Sequence, residues 1–67
     1  MNLTDAIKLV ADDTRESTDS SMTDHEAIAS ARTITRADLD VVDDAKLNTA
    51  YRTVLAASAP EIASALS

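Results

Sequence analysis

Apolar residues recur along the chain three and four positions apart, the spacing of a helix face. Leu3, Ala6, Ile7 and Val10 open the pattern and predict a first helix over about residues 3–14. Asn2 and Thr4 are both able to cap its start, and Asp5 sits in the first turn, where the helix dipole favours an acid. The stretch Thr14–Ser21, TRESTDSS, has no large apolar residue, so residues 14–22 read as a flexible loop. Thr23-Asp24-His25-Glu26 has the form of a capping box: the Thr side chain accepts from the third helical amide and the Glu reaches back. It opens a second helix over Asp24 to about Arg32, with Ala27, Ile28 and Ala31 as a narrow face of small residues. Thr35 and Asp38 form a weaker box before a short third helix holding Leu39 and Val42. Asp43 or Asp44 then caps a fourth helix with the strongest stripe in the chain, Leu47, Ala50, Tyr51, Val54 and Leu55. Pro60 suits the first turn of a fifth, whose apolar positions are Ile62, Ala63 and Leu66.

Strand signals are nearly absent, since Val41-Val42 is too short to count. The expected fold is all-α: one small domain of four to five short helices with a central pair like a helix-turn-helix. In that pair Ala29 would stand where the helices cross, Ile34 and Thr35 at the turn, and Leu39 and Val42 on the core side of the second helix. Glycine is missing altogether, so no helix can close on the usual glycine C-cap and Ser, Thr or Asp must serve at the turns.

Composition makes this core a thin one. In 67 residues Leu, Ile and Val fill fourteen positions, Tyr51 is the sole aromatic, and alanine supplies much of the remaining apolar count. At about 25 cal/mol per Å² of apolar surface buried, such a core barely offsets the entropy of ordering the chain. Domains of this size lean on disulfides, metals or partners, and with no cysteine the first option is closed. A protein partner or a second copy of the chain therefore gains weight.

The formal net charge is −6, distributed as −3 over residues 1–22, −4 over residues 23–44 and +1 over residues 45–67. Phosphate backbones and anionic membranes repel such a chain. Apolar runs of a few residues fall far short of the roughly 20 needed to cross a bilayer, so an intracellular location, or a place in a soluble particle, is expected.

Chemistry is sparse. His25 is the lone histidine, and with no cysteine or glycine neither a catalytic triad nor a phosphate-cradling loop can be assembled. Asp38 to Asp44 superficially matches the start of a calcium loop, but Val42, Asp43 and Thr49 stand where a ligand, a glycine and a glutamate are needed. No metal, cofactor or small-molecule substrate is expected, and enzyme is the least supported class. The helix-turn-helix pattern would read DNA through the outward face of its second helix, yet after Arg36 that face carries Asp38, Asp40 and Asp43. The same acids invite the opposite expectation: Asp38, Asp40, Asp43 and Asp44 could imitate a row of phosphates before a basic partner, although simple solubility or adaptation to high salt would account for them as well. A second candidate surface lies in the nearly neutral C-terminal third, where Tyr51 and Arg52 have the character of interface residues and Ile62 and Leu66 could dock on a partner or a second copy. Tyr51 has a plainer role open to it, as the largest residue of the core.

The expected function is a small acidic, non-enzymatic protein-interaction module, of the kind a phage or mobile element encodes, that blocks or recruits a partner by occupying it. A helix-turn-helix DNA-binding regulator and a small structural subunit of a virion or larger complex are the alternatives.

Overall fold

The computed structural model describes the whole chain, Met1 to Ser67, and contains five helices and no strand. They are α1 (Leu3–Ser17), α2 (Asp24–Ala31), α3 (Arg36–Asp40), α4 (Ala45–Ala56) and α5 (Ala59–Leu66). The Cα radius of gyration, 10.8 Å, is what a compact domain of this length should have, about 11 Å.

The longest helix, α1, is the hub on which α4, α2 and, less extensively, α5 pack. Its apolar stripe Ala6, Ile7, Val10 and Ala11 is buried, facing Ala50, Tyr51 and Val54 of α4 and Ala27, Ile28 and Ala31 of α2. Four alanines (Ala6, Ala11, Ala27 and Ala50) are wholly inaccessible to solvent. Side chains this small let helix axes approach closely and partly offset the lack of bulk. Ile28, Val10 and Val54 are the largest side chains fully enclosed.

Every helix start is capped by a side chain. Asn2 accepts the Asp5 amide at 2.8 Å, which settles the choice between Asn2 and Thr4. Both expected boxes form: Thr23 with Glu26, and Thr35 with Asp38. Of the two candidate caps for α4, Asp44 does the work, accepting the Lys46 and Leu47 amides at 2.9 and 3.1 Å. A third capping box, Ser58 with Glu61, starts α5 around Pro60. Its S-x-x-E spacing stood in the sequence beside the more conspicuous proline.

Three expectations need correction. The first helix runs one turn past residue 14, to Ser17. Thr14 is buried despite its hydroxyl, and Arg15 joins Asp12 and Asp24, each at 2.6 Å, tying the end of α1 to the start of α2. The loop expected over 14–22 therefore begins later, and a turn in which Asp19 accepts both the amide and the hydroxyl of Ser21 shapes it. The central helices α2 and α3 follow one another across a short turn but hardly touch, and α3 has only five residues and seats itself through Leu39 alone. Val42 lies beyond its end, and Val41 is left 75% exposed. Ala29 is not at a helix crossing: it points to solvent, because α2 turns Ala27, Ile28 and Ala31 toward α1 instead.

Candidate functional site

The acidic segment is less free than its composition suggests. Asp38 accepts the Thr35 amide at 3.3 Å and Asp44 caps α4, so both carboxylates complete helix starts. Asp40 lies 3.6 Å from the Arg52 guanidinium. Arg52 in turn donates to the Asn48 Oδ1 at 2.7 Å, while the Asn48 Nδ2 donates to the Leu39 carbonyl at 2.9 Å. This chain of contacts holds the C-terminal end of α3 against α4, and it joins the two surfaces that the sequence had suggested separately. Of the four acids, Asp43 alone makes no side-chain contact of this kind. All four side chains are exposed, and three of them also hold local structure.

The C-terminal candidates divide as well. Tyr51 is 6% exposed, inside the seam between α1 and α4, and donates its hydroxyl to Asp13 at 2.6 Å. Burial first, then the bond to Asp13, hold its phenol above the usual value of 10.0. Tyr51 is thus a core residue and is not available as an interface anchor. Ile62 is also 6% exposed, because α5 turns it inward, whereas Leu66 is half-buried at the rim.

What those two residues help to build is a surface groove between α2 and α5, with a volume of about 290 Å³. One wall is His25, Ile28, Ala29 and Arg32; the other is Ala59, Ile62, Ala63 and Leu66. Each set follows the i, i+3, i+4, i+7 rule, so each wall is a straight stripe of one helix. Ile28 and Ile62 form the buried floor, and Ala29, Ala59 and Ala63 line the open sides. The only ionisable lining residues are His25 and Arg32, both exposed, and Arg32 makes no ion pair. No acid faces the groove, although the molecule as a whole carries −6.

A larger cleft of about 390 Å³ between α1 and the start of α4 differs in character, with Asp5, Asp12, Lys8 and Lys46 around only Met1 and Leu9. Acids and bases mix around it, so it offers a partner no single sign of charge. Comparison with known families, with curated proteins and with solved structures gave no match. Chemistry and shape alone carry the functional reading.

The groove was only half visible in the sequence. Ile62 and Leu66 were marked as a docking surface and Ala63 as part of their stripe, but His25 was read only at a cap, Ala29 at a helix crossing, and Arg32 and Ala59 had no part in a surface. Their spacing held the signal: two stripes of identical periodicity, each with an isoleucine followed by an alanine at its centre.

Proposed function

We propose that the protein is a non-enzymatic interaction module that works by occupancy, docking a partner protein on the α2–α5 groove. The supporting observation is that groove: two straight helical stripes with an apolar floor, open to solvent and free of carboxylates. Small-molecule sites enclose most of their ligand. This groove is open to solvent, and its two apolar helical stripes suit the face of a helix.

Substituting Ala29→Glu and Ala63→Glu together tests the reading. Both positions are exposed, so the variant should keep the helicity and melting temperature of the parent chain. In a capture experiment from the native cell extract, the parent chain should retain a defined protein that the variant loses. Identical capture by both chains, or capture of nothing by the parent, would overturn the proposal.

A further inference from the structure

Resting on that reading, we infer that the occupant of the groove is a single amphipathic helix of another protein, with an acidic residue flanking its apolar stripe. Shape supplies the first argument. The two walls belong to helices that face each other across the groove, so an incoming helix would rest its apolar stripe on Ala29, Ala59, Ala63 and the half-buried Leu66, above the already enclosed Ile28 and Ile62. Ala29, Ala59 and Ala63 keep the walls low, which allows the axes to approach to the usual interhelical distance of about 8–10 Å.

Charge supplies the second. In a molecule of net charge −6, the only ionisable side chains lining the groove are His25 and Arg32. Arg32, unpaired and exposed, stands one helical turn beyond Ile28 and Ala29, where an acid beside the incoming stripe would meet it. Complementarity of this kind selects a partner even where it adds little affinity.

The third argument bears on a second copy of the chain as occupant. Both long helices have spent their apolar stripes in the core: α1 on Ala6, Ile7, Val10 and Ala11, α4 on Ala50, Tyr51 and Val54. The large apolar side chains that a second copy leaves exposed are Met1 and Val41, neither of them within a helix, and its own groove would bring Arg32 against Arg32.

The test uses the full chain and two synthetic helical peptides with the same leucine stripe, one flanked by glutamates and the other by lysines. Binding is followed by NMR amide shifts at Ala29, Arg32 and Ala63, in about 0.15 M salt, where charges beyond roughly 8 Å are largely screened. The glutamate peptide should bind about tenfold tighter or better, against the sign of the whole molecule. Arg32→Glu should reverse the preference, and Ala63→Glu should abolish both. Equal affinities, a lysine preference in the parent chain, or shifts that avoid the groove would overturn the inference. So would a doubling of mass in sedimentation that Ala63→Glu removes, since the occupant would then be a second copy. If the peptides fail while Ala29→Glu/Ala63→Glu still abolishes capture from extract, the inferred occupant is wrong and the interaction reading stands; if both fail, the reading falls too.

Discussion

The hydroxyl of Tyr51 marks the one place where a core residue also satisfies a charge, donating to Asp13 across the α1–α4 seam. Tyr51→Phe keeps the ring and removes that bond. Because Asp13 is only half-buried and can turn to water, the expected loss is about 1 kcal/mol, measured by urea denaturation. Burial of the phenol, and then the same bond, set a pH dependence. The folded state holds the phenol above its ordinary value, so the unfolded chain loses this proton first as pH rises. The stabilisation is complete below about pH 10 and is lost as pH climbs through the folded-state value. Thermal melts should show a decline above pH 10 that Tyr51→Phe reduces. At this scale the sequence was legible only in part. Helical spacing placed Tyr51 on the apolar face of α4, and Ile62 and Leu66 on that of α5. Spacing does not say which part of such a face a neighbour covers, and that decided Tyr51 and Ile62 for the core and left Leu66 at a rim.

Helix ends carry much of the information at the level of elements. With no glycine and no residue at positive φ, the chain closes α1, α2, α3 and α5 with hydroxyls and an amide. Thr18 and Ser17 both donate to the Thr14 carbonyl, at 2.6 and 3.2 Å, at the end of α1. Thr33 donates to Ser30 after α2, Asn48 to Leu39 after α3, and Ser67 to Ala63 at the end of α5. Ser58→Ala should cost about 1 kcal/mol as the loss of an N-cap, read from the shift in denaturation midpoint. It should also act on Glu61, whose carboxyl sits below its ordinary range because the Ser58 amide, and then its hydroxyl, favour the charged form. A lowered carboxyl value means stability that is present at neutral pH and lost as pH falls through that value. In the Ser58→Ala variant the titration of Glu61, followed by NMR, should move upward toward the usual carboxylate value.

Helix starts were the most legible feature in the sequence, because a cap is a local pattern of two residues three apart. Ends were less so. A threonine that donates to a carbonyl four residues back looks, in sequence, like any loop threonine. TRESTDSS consequently read as loop although its first four residues complete α1. The α3–α4 tie through Asn48 was hidden for the opposite reason: it joins residues nine apart, and no local pattern announces it.

As a whole, the molecule rests on few large side chains, and that makes its stability fragile in a specific way. Ile28 is 2% exposed and both fills the core and floors the groove. Ile28→Ala should cost about 2–5 kcal/mol, a large share of the roughly 3–10 kcal/mol available to a domain of this length. A urea titration should find that variant partly unfolded without denaturant. Arg15→Ala, by contrast, removes two surface ion pairs and should lower the denaturation midpoint only slightly, with an effect that fades as salt is raised. The fold class was plain from periodicity alone, whereas the groove required knowing that α2 and α5 face each other across an opening, which belongs to the tertiary arrangement.

Enclosing the only aromatic ring between α1 and α4 also gives the molecule a single optical reporter with a restricted field of view. Near-ultraviolet absorbance and intrinsic fluorescence come from Tyr51 alone, so they register separation of those two helices. A ligand seated between α2 and α5 should leave both signals almost unchanged, and a tyrosine response during a binding titration would indicate loosening of the hub.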